Sequence, residues 1–239
     1  MRVLLALPDV GQRTAWARAE LTSLGPADAA RLLEDVCHQS SLSDPSAREA
    51  MVAVAGVVAG FGDGEWVAEL RQVAAAEGLG ALARLLGPEP PVAAGEPEPE
   101  TLPVPDYGTG REVTLGERRS LARRPTRAAF DRLLGDPHPL VIRQLLENPK
   151  LTEDDVVRLA TRRPAQATTL RELANSPKWL CRGRVRMSIL LNPGSSPALT
   201  HPLLGVCSGT ELREVTRSTH ISPELRQTAA EYLELRRKG

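Results

Sequence analysis

Short segments with helical periodicity alternate with proline- and asparagine-containing corners in the C-terminal half of this 239-residue chain. The clearest corners are Asn148-Pro149 and Asn192-Pro193, and each lies close behind a pair of leucines. Proline cannot continue a helix, and asparagine tolerates the left-handed conformation with which many helices end. After the first corner, Thr152 can cap a new helix. The corners predict short helices in tandem, in which the asparagines terminate helices and are able to hydrogen-bond the loop of a neighbouring unit.

The same segments recur with a period of about 40 residues. The matching pairs are Arg123-Arg124-Pro125 with Arg162-Arg163-Pro164 (39 residues apart), residues 134–137 with 174–177 (40), residues 170–176 with 212–218 (42), and Asn148-Pro149 with Asn192-Pro193 (44). About three units fit between residues 114 and 236. Periods of this size are typical of α-solenoids, whose units bury their apolar faces against one another.

Two of these segments carry a family resemblance. Residues 146–152 have the form Leu-x-Asn-Pro-x-Leu-Thr, and residues 170–177 have the form Leu-Arg-Glu-Leu-Ala-x-Ser-Pro. Both are similar to the corners of bacterial HEAT-like and leucine-rich-repeat-variant α-solenoids. The resemblance implies a curved helical scaffold that binds another macromolecule. Variant-repeat proteins can carry an iron–sulfur segment with clustered cysteines, but Cys37, Cys181 and Cys207 are far apart, so no cofactor is expected.

The N-terminal region, residues 1–86, has the pattern of a small helical bundle. Apolar residues recur at helical spacing in four segments, of which residues 65–86 form the last. Ser43-Asp44-Pro45 resembles a helix start, because aspartate caps free amides and proline fits the first turn. The helix that follows, through residues 51–59, is apolar nearly all round, so we expect it at the centre of the bundle. Aromatic residues make up only 3% of the chain, which suits close-packed helices better than a sheet.

Proline and glutamate alternate between the bundle and the repeats. Such a composition cannot bury a core and favours extended backbone. The sequence therefore predicts an all-α protein in three parts. These parts are an acidic helical bundle (1–86), a Pro/Glu-rich linker (87–113) and a basic α-helical repeat domain (114–236).

The formal net charge is zero, but the two halves differ in charge. Residues 1–110 contain 7 arginines and 16 acidic residues, which gives −9, and the remainder carries +9. Opposite charges could draw the halves together or recruit separate partners. Three widely spaced cysteines without a C-x-x-C pair indicate a reducing compartment. No apolar run approaches the ~18–20 residues of a membrane span. We therefore expect a cytoplasmic protein without membrane contact.

Arginines gather at the entrance to the repeats and recur one unit later. Because equivalent positions stack in a solenoid, Arg123-Arg124 and Arg162-Arg163 are expected to form a ridge. Three interpretations stay open: solvated side chains near helix C-termini, contacts to an acidic protein partner, or contacts to nucleic-acid phosphates. The residues predicted to contact a partner are Arg118, Arg119, Arg123, Arg124, Arg127, Arg162, Arg163, Arg182 and Arg186.

No catalytic signature accompanies these arginines. The chain has no G-x-S-x-G elbow, and its glycine-rich stretch at residues 60–64 lacks the Lys-Ser/Thr end of a phosphate loop. Cys37-His38 has no second pair at metal-ligand spacing, so no metal site is expected. We favour a non-enzymatic scaffold or adaptor that binds an acidic protein partner. The alternatives are a nucleic-acid-binding repeat protein and a helical-repeat enzyme, which would need a pocket where an acid or base converges with polar groups.

Overall fold

The computed structural model describes residues 2–41, 44–62, 64–89, 101–163 and 166–238, without the side chains of residues 127 and 128. Within these ranges the protein is all-helical and contains no β-strand, which confirms the predicted fold class. The helices described there are α1 (Arg2–Ala6), α2 (Val10–Ser23), α3 (Pro26–Ser41), α4 (Pro45–Phe61), α5 (Glu65–Glu77), α6 (Gly80–Leu86), α7 (Leu115–Arg123), α8 (Arg127–Leu133), α9 (Pro139–Leu146), α10 (Glu153–Ala160), α11 (Ala167–Ala174), α12 (Pro177–Leu180), α13 (Gly183–Leu190), α14 (Pro197–Val206), α15 (Gly209–Arg217) and α16 (Pro223–Lys238).

Helix α4 lies at the centre of the N-terminal bundle α1–α6, as the sequence predicts. It begins with Pro45 in its first turn, and the Asp44 carboxylate accepts a hydrogen bond from the Ala47 amide at 2.7 Å. From residue 53 to residue 59 every residue is buried. In the described ranges no single helix has both the length and the apolar character of a membrane span, and α4 and α5 reach them only as a pair bent by 116°.

The prediction of one helix over residues 65–86 is wrong. Gly78 ends α5 with a left-handed backbone (φ 68°), and a separate helix, α6, begins at Gly80. Glycine adopts this conformation without the steric cost that a Cβ brings, so it acts as a helix terminator here. The Glu34 carboxylate of α3 then accepts hydrogen bonds from the first amides of α6, at Ala81 and Leu82 (3.2 and 2.6 Å).

The C-terminal half consists of three successive groups of helices: α7–α9, α10–α13 and α14–α16. The first two groups begin with a threonine, Thr114 or Thr152, that caps the helix reciprocally with an acidic residue three positions later. Such capping boxes satisfy two backbone donors at once. The third group begins after Ser196, which makes no side-chain cap. The first two groups thus share one local pattern at their start, whereas the α-solenoid stays a prediction.

Each group is closed by one side chain that reaches from its end back to its first helix. Asn148 donates through Nδ2 to the Ala122 and Arg123 carbonyls at the end of α7 (3.0 and 2.9 Å). Asn192 donates to the Ala160 and Arg162 carbonyls at the end of α10 (2.7 and 3.4 Å). We call these contacts the closing bonds. They satisfy helix carbonyls that have no partner within the helix. Each set of closing bonds stays within one group of helices. The sequence predicts instead a hydrogen bond to the loop of a neighbouring unit.

The third group has the same closing bonds from a different residue. Arg236 lies 44 residues after Asn192, which itself lies 44 residues after Asn148. Its guanidinium donates to the Gly205 and Cys207 carbonyls at the end of α14. The 44-residue spacing and the matching acceptors make Arg236 the third member of the series. Sequence comparison missed it because the residue type changes from asparagine to arginine.

Arginine–glutamate pairs connect one group to the next. Arg143 on α9 pairs with Glu172 on α11 at 2.7 Å, and Arg186 on α13 pairs with Glu211 on α15 at 2.8 Å. In both cases the last helix of one group (α9 or α13) contacts the second helix of the following group (α11 or α15). The Trp179 indole also donates to the Leu146 carbonyl at the end of α9 (2.9 Å). These polar contacts join each group to the next one around a shared apolar core.

The two halves pack against each other mainly through α4 and α14. Small residues allow this close approach: a Cβ on Gly205 of α14 would come within 2.8 Å of the Met51 methyl group of α4. Ala59 of α4 belongs to the core of the C-terminal half, while Val206 packs against the N-terminal core. The two halves are therefore in direct contact, which the sequence left open.

Part of the predicted linker also packs against the repeats. Residues 90–100 lie outside the described residues, but Tyr107 is buried and its hydroxyl donates to the Asp136 carboxylate at 2.7 Å. Burial and this hydrogen bond both raise the pKa of Tyr107 above its ordinary value. The prediction that residues 87–113 form a linker outside any core is therefore wrong at Tyr107, which belongs to the C-terminal core.

His201 lies buried where the two halves meet. A Cβ on Gly87, at the end of α6, would come within 2.4 Å of the His201 ring. The ring Nδ1 is 3.1 Å from the Pro197 carbonyl, which can only accept, so Nδ1 carries the proton. Nε2 is buried and has no partner among the described residues. Burial lowers the pKa of His201 below its ordinary value of 6.5, Arg71 lowers it further, and the Pro197 carbonyl and Glu224 oppose the shift.

We expect the replacement of Asn148 or Asn192 by alanine to lower the free energy of unfolding by ~1–3 kcal/mol, because helix carbonyls would lose their buried partners. Asn175→Ala is the matched control: Asn175 also follows a helix, but it is exposed and makes no side-chain hydrogen bond to the described residues. Its cost should stay within about 0.5 kcal/mol. Urea unfolding of the three variants measures the difference, and equal losses would show that the closing bonds contribute little.

We also expect the stability to fall as the pH drops below about 6.5, because the unfolded state then binds a proton that buried His201 does not accept. The contribution of neutral His201 to the free energy of unfolding is complete above pH 6.5. It falls between this pH and the lowered pKa of the folded state, by at most ~1.4 kcal/mol per pH unit. His201→Gln should flatten the profile, whereas His220→Gln, at an exposed position, should not. Denaturant titrations between pH 5 and 8 measure the slopes. Parallel stability profiles for the wild type and His201→Gln would show that His201 does not cause the loss of stability at low pH.

Candidate functional site

Two of the nine predicted arginines are buried and paired inside the protein. Arg118 donates through Nη1 to both oxygens of Asp136 at 2.8 Å, and Asp136 is also bonded by the Tyr107 hydroxyl. Arg186 pairs with Glu211 and donates to the Leu180 carbonyl at 3.3 Å. Both guanidinium groups are buried, so they cannot reach a partner at the surface. Burial therefore removes Arg118 and Arg186 from the candidate binding surface.

Three further arginines are exposed but hold contacts within the chain. Arg182 pairs with Glu153 at 3.1 Å and lies over the Trp179 ring. Arg162 donates to the Leu134 carbonyl at 3.2 Å, and Arg123 donates to the Gln144 side chain at 3.1 Å. The two arginines that were expected to stack thus contact different helices. Exposed contacts of this kind are weak, typically about 0–1 kcal/mol.

The remaining predicted arginines differ in accessibility. Arg119 is half-buried, and its Nε has no partner among the described residues. Arg124 and Arg163 are exposed and make no ion pair or side-chain hydrogen bond within the described part of the chain. The side chain of Arg127 lies outside the described residues. Arg124 and Arg163, one repeat apart, are therefore the predicted arginines best placed to meet a partner.

Arg163 lies at an open groove that α10, α13 and α15 form. The groove has a volume of about 540 Å³ and reaches the Asn192 corner. Helix α13 packs against α10, and Arg186 connects it to α15, so α13 lies between the other two. The lining residues are Val157, Thr161, Arg163, Gly183, Arg184, Met187, Ser188, Leu191, Asn192, Glu211 and Glu214.

One stripe of α13 and the residue after it supply the floor of the groove. Arg184, Met187, Ser188 and Leu191 follow one another at helical spacing (i, i+3, i+4, i+7), which places them on one face of the helix. The closing bonds of Asn192 hold the end of α13 against the end of α10. The corner therefore fixes the two elements that form one side of the groove.

The groove carries charges of both signs. Arg163, after α10, and Glu214, on α15, are exposed and have no charged partner among the described residues. Arg184 pairs with Asp154 at 2.7 Å, but both side chains are largely exposed (63% and 75%), so a partner can replace Asp154 at little cost. Glu211 is bound to Arg186 and also accepts from the Ser208 amide. The apolar side chains of Val157, Met187 and Leu191, set between free charges of opposite sign, can bind a polypeptide segment.

Two of the three cysteines, Cys37 and Cys207, are buried outside the groove. Burial, above all, raises the pKa of Cys37 and of Cys207 to about 12, so neither thiol forms a thiolate readily at neutral pH. Among the described residues, no group of three or more histidine, cysteine, aspartate or glutamate side chains is arranged to hold a metal ion.

Sequence reasoning did not select Arg184, Met187, Ser188 or Glu214 as site residues. The α13 stripe mixes a cation, a thioether and a hydroxyl, so it does not stand out as an amphipathic face. Its helical spacing could have been read from the sequence, but the groove depends on α15, which follows some 20 residues later.

Comparisons with known protein families, curated proteins and solved structures gave no match to this chain. The likeness to HEAT-like and leucine-rich-repeat-variant solenoids thus rests on the sequence corners alone.

The buried and exposed arginines should respond differently to truncation. We expect Arg118→Ala to cost ~3–5 kcal/mol, because it leaves Asp136 charged and buried with fewer donors. Arg124→Ala, at an exposed position in the same segment, should change the stability by less than about 0.5 kcal/mol. Thermal and urea unfolding compare the two variants. Equal stability of Arg118→Ala and Arg124→Ala would contradict the structural role of the Arg118–Asp136 pair.

Proposed function

We propose that the protein is a non-enzymatic interaction scaffold, whose C-terminal helices form a HEAT-like α-solenoid and bind a segment of a partner protein in the α10–α13–α15 groove. The observation that carries the proposal is the groove itself, with apolar side chains on its floor and with Arg163 and Glu214, which have no charged partner among the described residues. Its volume of about 540 Å³ lies within the ~300–1,000 Å³ of typical ligand sites. Its open shape suits a continuous chain segment better than an enclosed small molecule.

The floor would supply affinity and the charges would supply orientation. Met187 is flexible and polarisable, so it adapts to different apolar side chains. Arg163 and Arg184 can pair with carboxylates of the partner, in keeping with an acidic partner, and Glu214 can bind a cation at the other side. Charges at the rim of an interface mainly set association rate and specificity. The complex should therefore weaken as the salt concentration rises.

A protein partner is favoured over nucleic acid by the state of the basic residues. Nucleic-acid binding needs several unpaired cations along a phosphate track. In the repeats, Arg118, Arg182 and Arg186 are each paired with a carboxylate of the same chain. Glu214 in the groove would repel phosphate. Both features favour a polypeptide with mixed charge.

A photo-reactive amino acid at Ser188, on the floor of the groove, tests the proposal in cells of the source organism. We expect a discrete adduct with one protein, and we expect Arg163→Glu to reduce its yield about tenfold, equivalent to ~1.4 kcal/mol of binding. Arg213→Glu provides the matched control: Arg213 is an exposed arginine of α15 that does not line the groove. Its adduct yield should remain close to that of the wild type.

Other outcomes would separate the alternatives. An adduct with nucleic acid, lost steeply with added salt, would replace the proposal by nucleic-acid binding. Equal loss of adduct in Arg163→Glu and Arg213→Glu would show that overall charge, and not the groove, attracts the partner. The absence of any adduct at Ser188 would contradict the proposed site.

A further inference from the structure

The N-terminal bundle exposes large apolar side chains at one place. The large hydrophobic residues exposed within the described ranges are Val3 (58%), Leu24 (36%), Leu32 (45%) and Val104 (43%). Leu24 and Leu32 line the same pocket, and Val3 is the neighbour of Leu4, which also lines it. Single exposed apolar side chains are ordinary, but a cluster around a concavity marks an interaction site.

The pocket lies among α1, α2, α3 and α4 and has a volume of about 110 Å³. Its lining is apolar except for Glu20, with Leu21 and Leu33 deep inside and Trp16 half-buried at its side. A dry cavity of ~150 Å³ can bind a benzene-sized group, so this pocket has room for about one apolar side chain. We call the pocket and its exposed leucines the mouth. It shares no lining residue with the α10–α13–α15 groove.

Carboxylates surround the mouth. Glu20 lines it, and on α3 the residues Asp28, Leu32 and Asp35 follow at helical spacing (i, i+4, i+7), so the two aspartates flank the exposed leucine on one face. Neither Glu20 nor Asp35 makes an ion pair with a described residue. Two arginines of α2 are held elsewhere: Arg13 pairs with Glu49, and Arg18 lies over the Phe61 ring. Arg31 of α3 pairs with Glu77 at 2.7 Å and also contacts Asp28 at 3.5 Å, so it partly neutralises Asp28.

We propose that the mouth binds an amphipathic helix of a partner protein whose apolar stripe is flanked by lysine or arginine. An apolar anchor of that helix fills the pocket between Leu24 and Leu32, which is the usual way that a helix binds in a groove. Its basic residues face Glu20 and Asp35, and beside them Asp28, which Arg31 contacts at 3.5 Å. Among the described residues, Glu20 and Asp35 have no ion pair, and Arg2 is the one arginine of α1–α3 without an ion pair, side-chain hydrogen bond or ring contact. The unpaired charge at the mouth is therefore mainly negative. This site is independent of the function proposed for the groove.

Charge complementarity favours this occupant over a membrane surface. Biological membranes present anionic headgroups to peripheral proteins. The carboxylates around the mouth would repel such a surface, whereas they attract the cationic flanks of a basic helix. The chain would then hold two different segments, a basic helix at the bundle and a segment of mixed charge in the groove.

The test uses a fluorescent peptide of about 18 residues, ~27 Å long as a helix, with leucines at i, i+3, i+4 and i+7 and lysines on both flanks. A second peptide replaces every lysine by glutamate. We expect the full-length protein to bind the lysine peptide and to bind the glutamate peptide at least tenfold more weakly. Leu32→Glu should weaken binding of the lysine peptide at least tenfold, whereas Val104→Glu, the same change at an exposed valine outside the mouth, should not.

A charge swap keeps the test independent of folding defects. Asp35→Lys combined with Glu20→Lys should shift the preference towards the glutamate peptide, which a merely destabilised bundle would not do. The proposal is overturned if the wild type binds neither peptide or binds both equally, or if Leu32→Glu binds like the wild type. It is also overturned by sedimentation that shows a dimer which Leu32→Glu dissociates, or by Leu32-dependent binding to anionic vesicles without binding to the peptide.

Discussion

One recurring hydrogen-bond arrangement determines how the C-terminal helices are placed. The last carbonyls of a helix have no partner within it and need donors from elsewhere. In each group, the side chain that provides these donors comes from the end of the same group: Asn148, Asn192 and Arg236. A single side chain thus ties the first and last helices of a group together, while arginine–glutamate pairs connect one group to the next. The groove beside Asn192 depends on both kinds of contact.

In the described part of the chain, apolar packing of α4 against α14 joins the two halves. Small residues on α4 and α14 bring the two backbones close together, and Ala59 is shared with the C-terminal core. The charged side chains remain largely at the surface. The acidic mouth therefore faces solvent on the bundle, and Arg163 does so at the groove. Residues 1–110 carry a formal net charge of −9 and the remainder +9, and the mouth and the groove lie in different halves.

The sequence was sufficient for local features and insufficient for distant partners. The Asn148 corner and the Asp44 start follow from residues a few positions apart, so they could be predicted. Arg118 and Arg163 look alike in sequence, since both lie in or after a short helix. Only the fold shows that Arg118 meets Asp136 and is buried while Arg163 stays exposed. Whether an arginine is structural or available depends on such contacts, and no local pattern encodes them.

The spacing of the closing bonds indicates where this architecture can change in length. Each asparagine lies four positions before the next capping position, at 148 and 152 and at 192 and 196. From the capping position to the closing residue the groups measure 34, 40 and 40 residues, and the second group accommodates the additional short helix α12 within that span. The joints between groups are thus constant, while the interior of a group varies. The second group gains length mainly between its second and third helices, and the third group mainly within α16, yet neither change shifts the closing donor relative to the helix carbonyls that it binds.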